Sequence, residues 1–174
     1  MKALATFAFA ALLAGPALAQ PALKAPLAGL GFLVGDWNSG EGKVADTGGT
    51  SRGFSHVTVE ADGWSLLRRD RNEIIGPDGK PAGGFSQMML IYPEAGTLHA
   101  DYSDGEGHII HYDKAEIVPG RSVIFTSPAS PAAPGFRLTY TLKSPRDLGV
   151  DFSMLPPGGG AFHPIATGTL HRAP

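Results

Sequence analysis

Turn residues cut this chain into short pieces, and that limits its fold more than any other feature. From Phe54 onward, breaks fall at Asp62-Gly63, Gly76–Pro81, Pro93–Gly96, Asp104-Gly105, Pro119-Gly120 and Pro156–Gly160. The 24 glycines and 15 prolines are spread along the whole length, so few stretches are long enough for a stable helix. Between the breaks the pattern alternates. Val57 and Val59 share one face and His56 and Thr58 the other, while Trp64, Leu66 and Ile74 share a face with Arg68, Asp70 and Asn72. Phe32 to Asn38 starts the series, and Phe85–Tyr92, Thr97–Ser103, Phe136–Lys143, Leu148–Leu155 and Ile165–His171 continue it.

About ten strands are expected, after a short N-terminal helical turn in which Leu27, Leu30 and Leu33 recur every third residue. Loops this short leave no room for crossover helices, so neighbouring strands run antiparallel. A long meander with one apolar face buries that face most economically by closing on itself. The expected fold is therefore all-β, an antiparallel up-and-down closed barrel, with a two-sheet sandwich as the alternative.

The N-terminus predicts export. Lys2 precedes an apolar run from Ala3 to Leu13, and Ala17-Leu18-Ala19 supplies a small-x-small cleavage pattern. Residues 1–19 are expected to be a signal peptide cut after Ala19, residues 20–26 a linker, and residues 27–174 the barrel domain. The mature protein is then periplasmic or secreted. The chain has no cysteine, which excludes disulfides, thiolate nucleophiles and cysteine-ligated metal centres. With a formal net charge of −2 and no basic cluster, nucleic acid is not an expected partner. No second apolar run is long enough for a helical membrane span.

Gly35-x-Trp37 after a short helical turn, with Arg172 at the end of the last strand, resembles the calycin superfamily of lipocalin-like and fatty-acid-binding-protein-like barrels. The resemblance implies that Trp37 packs across the closed end and that Arg172 lies over its ring, so Gly35, Trp37 and Arg172 form a closure device. Phe32-Leu33-Val34-Gly35-Asp36-Trp37, Tyr92-x-Glu94-x-Gly96 and Asp104-x-Glu106-Gly107-His108 are together similar to a bacterial family of small exported lipocalin-like proteins without assigned activity. Nitrobindin-type barrels of this class bind haem through a histidine near the C-terminus, where His163 and His171 stand here.

Two groups of residues could carry chemistry. A turn at Asp104-Gly105 would set Ser103 opposite Glu106 and Asp101 opposite His108, with His99 diagonal on the same face. A carboxylate beside imidazole suits a general base, so His99, Asp101 and His108 are the candidate catalytic residues of a small hydrolase or isomerase. The Asp101–His108 run lacks the ligand spacing of a calcium loop and reads as a hairpin, and no metal is expected. The second group is a ligand cavity lined by Trp64, Arg68, Phe85, Met89 and Tyr102. Arg68 shares a face with Trp64 and Leu66, which makes it the inward member of the Arg68-Arg69 pair, and fatty-acid-binding barrels hold a carboxylate with buried Arg and Tyr. The leading reading is an exported binding protein for a small apolar or amphipathic ligand, with no cofactor. The alternatives are the His/Asp enzyme, a haem-binding barrel, and a solid-core envelope protein.

Overall fold

The computed structural model describes residues 21–40, 42–44 and 49–174. The expected signal peptide lies outside the described residues. The first element is a 3₁₀ helix, Ala25–Leu33, which begins two residues inside the segment read as linker. Its three-residue turn suits the leucine spacing: Leu27, Leu30 and Leu33 fall on one side and are buried. Twelve strands follow: β1 Gly35–Ser39, β2 Gly42–Val44, β3 Thr50–Glu60, β4 Ser65–Ile75, β5 Pro81–Glu94, β6 Thr97–Asp104, β7 Ile109–Tyr112, β8 Lys114–Val118, β9 Ser122–Thr126, β10 Gly135–Ser144, β11 Asp147–Leu155 and β12 His163–Arg172.

Eleven of them form one antiparallel path, β7-β6-β5-β4-β3-β1-β12-β11-β10-β9-β8, and β2 pairs with both β12 and β3 beside it. The sheet is a nearly closed barrel. First and last strands meet in register, with Trp37 opposite Arg172 and Ser39 opposite Leu170. The gap lies in mid-sequence instead. Tyr112 ends β7 and Lys114 begins β8, yet no ladder joins these two edge strands. Among the described residues β2 adds one strand to the expected count of about ten, because it separates from β1 and pairs independently.

Turn chemistry explains the tight connections. Ala95 and Gly96 both have positive φ between the paired residues Glu94 and Thr97, the requirement of a two-residue type I′ hairpin. At the β3–β4 corner Ala61, Asp62 and Gly63 all have positive φ, and the Gly63 carbonyl accepts from the Lys24 amide at 3.0 Å. A side chain at Gly63 would strike the Ala22 carbonyl, so that glycine lets residues 22–24 run across the corner. Among the described residues no helix is long and apolar enough to cross a membrane.

The helix plugs one end. Leu27, Leu30 and Leu33 pack with Trp37, Val57, Leu66, Ile91, Val123, Phe125 and Leu148 in one core. Trp37 is 1% exposed, and its indole N–H donates to the Leu33 carbonyl at 2.8 Å. The Arg172 guanidinium carbon lies 4.1 Å from the Trp37 ring centre. Its Nη1 donates to the Val34 carbonyl at 2.9 Å and its Nη2 to the Phe32 carbonyl at 3.2 Å. One side chain thus ties β12 to β1 and also satisfies carbonyls at the end of the helix. Gly35 has φ of +122°, and a Cβ there would sit 2.8 Å from Arg172 Nη1, so glycine is needed both for the backbone and for the guanidinium.

Replacing Arg172 with Ala removes a cation–π contact and two charge-assisted hydrogen bonds. The expected loss is about 2–4 kcal/mol in urea unfolding. A loss below about 0.5 kcal/mol would mean that strand pairing alone closes the barrel.

Candidate functional site

The other end of the barrel is hollow. A cavity of about 380 Å³ opens between the ends of β1, β3–β6 and β10–β12. Its two sides differ in character. From β10, β11 and β12 come Leu138, Val150, Phe152 and Leu170, with Phe85 reaching in from β5. From β3 to β6 come Ser55, Arg68, Asp70, Gln87, Tyr102 and Asp104. Cross-strand register explains the second group. Ser55, Asp70, Gln87 and Asp104 are successive partners in one row, and Arg68, Met89 and Tyr102 are partners in the next. Strict alternation turns both rows inward.

Arg68 is the hub of the cavity floor and is 6% exposed. Its Nε is 3.1 Å from Asp70 Oδ2, its Nη1 donates to the Tyr140 hydroxyl, and its Nη2 donates to Gln87 Oε1 at 3.3 Å. The Tyr102 ring centre lies 5.9 Å from the guanidinium carbon. Burial opposes the charge on Arg68, but Asp70 and Tyr140 outweigh it and hold the group protonated. Burial also pushes the Asp70 carboxyl above the usual carboxylate range, with Arg68 and Ser55 pulling back. Asp70 Oδ1 and Arg68 Nε are both buried without a hydrogen-bond partner among the described residues. Burial raises the phenols of Tyr102, Tyr112 and Tyr140, so all three stay neutral at physiological pH. Tyr112 lines the cavity, and its hydroxyl has no hydrogen-bond partner among the described residues.

The expected ligand residues divide. Arg68, Phe85 and Tyr102 line the cavity. Met89 points inward but is fully buried beneath the cavity, in the packed core. Trp64 belongs to the β3–β4 corner at the plugged end and is 52% exposed, so it is not a cavity residue. The parity that joins it to Leu66 and Arg68 stops applying where the strand gives way to the turn. Sequence reasoning missed Asp70, Gln87, Tyr112 and Tyr140 as site residues. Asp70 could have been found two residues from Arg68 on the same face. Tyr140 lies across the barrel, 72 residues from Arg68, with no local signal to link them.

The His99/Asp101/His108 patch is not formed. The hairpin turns through five residues, Asp104 to His108, so Ser103 pairs with Ile109 and Asp101 with His111. Asp104 makes the longer loop favourable. Its Oδ1 accepts from the Glu106 and His108 amides, both at 3.0 Å, and Oδ2 accepts from Tyr102 and meets His108 Nδ1, again at 3.0 Å. Asp101 instead contacts His111 at 2.8 Å and accepts from Tyr92 at 3.0 Å, while His99 stacks on the Tyr92 ring. Leu98, Ala100 and Tyr102 take the inward positions of β6, which leaves His99 and Asp101 on the outer face. His108 is at the cavity mouth, apart from both.

Neither C-terminal histidine reaches the cavity. His163 is exposed at the start of β12, and His171 pairs with Asp147 at 2.7 Å on the outer side. The haem ligation implied by the C-terminal histidines therefore has no support in the geometry. Asp104, Glu106 and His108 stand close enough to share an ion, but the Asp104 oxygens are already occupied by the turn.

No protein-family model matches the chain, and no curated protein matches it. Among solved structures, a de novo designed fluorescence-activating β-barrel is 14% identical with a TM-score of 0.45, covering 86% of this chain and all of the design. A redesigned β-barrel bound to DFHBI is 19% identical with a TM-score of 0.42, covering 81% of this chain and 99% of that one. Likeness at this level carries no inference about ligand or activity.

Asp104 makes an acid sensitivity that can be measured. Burial alone would raise its carboxyl, but the His108 amide and side chain, Tyr102 and the Glu106 amide together hold it below the ordinary 3.8. A carboxyl depressed by folding stabilises the protein above that value, and the contribution is lost as pH falls below it. Urea midpoints should therefore fall most steeply below about pH 4, as pH drops through the depressed native value, and Asp104→Asn should flatten that fall. Equal slopes in the two proteins would count against the turn as their source.

Proposed function

We infer that this is a binding protein that takes a small amphipathic molecule into the open half of its barrel. The observation that carries this is the cavity itself: about 380 Å³ of interior left unfilled above a closely packed core. That volume is within the range of small-molecule sites, and a few polar groups set in apolar walls are the usual composition of such sites. The apolar side accepts a hydrocarbon or aromatic body. Tyr112, with a free hydroxyl, and the Arg68–Tyr140 pair offer orienting hydrogen bonds at the floor.

A lipocalin-like assignment is part of this proposal, supported by Gly35-x-Trp37 with Arg172 stacked over the indole. Export to the periplasm or beyond is part of it too, supported by the composition of residues 1–19. The enzyme reading has no comparable support, because its three residues lie apart. A barrel with a solid interior conflicts with the cavity.

Native mass spectrometry of protein recovered from its own envelope fraction should show a mature chain beginning at Gln20 and carrying a small-molecule adduct. Val150→Trp, which places a large side chain in the void, should weaken uptake more than tenfold while leaving the thermal midpoint within a few degrees. Tyr112→Phe should weaken a hydrogen-bonding ligand about three- to tenfold. An adduct retained unchanged by the Val150→Trp protein would end the cavity reading.

A further inference from the structure

The floor of the cavity has an arginine but no free positive charge. Arg68 carries the single guanidinium among the described residues lining the cavity, and protein side chains surround it: Asp70 forms an ion pair at 3.1 Å from Nε without a hydrogen bond, Nη1 donates to Tyr140 and Nη2 to Gln87. A carboxylate is held well by arginine when two N–H groups of the fork point at it in parallel. Here a carboxylate, Asp70, already stands 3.1 Å from the Nε edge, and Nη1 and Nη2 each donate to a neutral acceptor. Asp70 also cancels the charge, and Asp104 and Glu106 add two further carboxylates toward the mouth. An incoming anion would pass Asp104, Glu106 and His108 at the mouth and meet the Asp70–Arg68 pair at the floor.

We propose that the cavity selects an uncharged, hydrogen-bonding amphiphile and rejects the corresponding carboxylate, with Asp70 as the residue that sets this preference. This rests on the ligand-binding reading above and narrows it. A neutral headgroup, such as an alcohol or phenol, needs no counter-charge. It can donate to or accept from the Tyr112 hydroxyl, which is free to do either. The Arg68–Asp70 pair then acts as a neutral, polar floor. The raised carboxyl of Asp70 reflects the same crowding from the other side, since burial already strains one negative charge there.

Titration calorimetry of the full chain with decanol and with decanoate at about pH 8, where the fatty acid is ionised, tests this. The wild type should bind decanol at least tenfold more tightly than decanoate. In Asp70→Asn the guanidinium is no longer neutralised, and the decanol-to-decanoate ratio should fall at least tenfold. Because removing one member of a buried pair can unfold a protein, the double variant Arg68→Met with Asp70→Leu gives a second measurement. Replacing a neutralised pair by apolar groups should leave the wild-type ratio within about threefold, whereas loss of a true carboxylate anchor would raise it more than tenfold. A wild-type protein that binds decanoate as tightly as decanol, or a double variant whose ratio climbs, overturns the selectivity alone. A wild type that takes neither molecule overturns the ligand-binding reading on which it rests.

Discussion

The stacking of Arg172 on Trp37 fixes the relation between the two ends of the chain, and most of the interior follows from it. The contact joins residues 135 positions apart in sequence and lies where β1 and β12 pair. Once that register is set, side-chain alternation determines which residues of β3, β4, β11 and β12 point inward. A one-residue slip between β1 and β12 would reverse one side relative to the other, so that Arg68 and Asp70 could not share the interior with Val150 and Phe152. Arg172 also takes two backbone carbonyls of the Phe32–Val34 stretch, so the helix that plugs the barrel is held by the side chain that shuts it. Gly35 permits the arrangement by offering no Cβ at that point.

The two halves of the interior meet different physical demands. Below, leucines, Trp37 and Phe125 form a buried apolar core. Above, a guanidinium, a carboxylate and three phenols occupy a region largely shut off from solvent. Desolvating a charge pair costs several kcal/mol per ion unless remaining donors and acceptors are met. Arg68 and Asp70 each meet that condition incompletely, since Arg68 Nε and Asp70 Oδ1 are both buried without a hydrogen-bond partner among the described residues. Such a polar floor is a weak source of net stability.

Much of the architecture was legible because its signals are local. Gly35, Trp37 and Arg172 are few, distinctive residues at the two ends of a countable series of strands. Arg68, Phe85 and Tyr102 were legible as cavity residues because period-two alternation persists through the middle of a strand. Alternation gave out where backbone geometry left the strand. Trp64 is at a corner with three successive positive φ values, so its apparent parity had no meaning. The His99/Asp101/His108 patch depended on hairpin length, and a five-residue loop built around the Asp104 carboxylate shifted the partner of Asp101 from His108 to His111. Depth is invisible to parity, which is why Met89 points inward yet lies below the cavity. Tyr140 and Tyr112 reach Arg68's neighbourhood only through closure, a long-range event with no short-range mark.

The missing ladder between β7 and β8 has a mechanical meaning. Elsewhere around the barrel, circumference is set by rows of hydrogen bonds at a fixed strand spacing. At this one seam the two edges are tied by the chain itself, through Asp113 between Tyr112 and Lys114. Widening the barrel there breaks no backbone hydrogen bond. Tyr112, a cavity-lining residue, is the last residue before that seam. Among the described residues the wall is hydrogen-bonded from strand to strand along the whole path, and at this seam it is joined by the covalent chain.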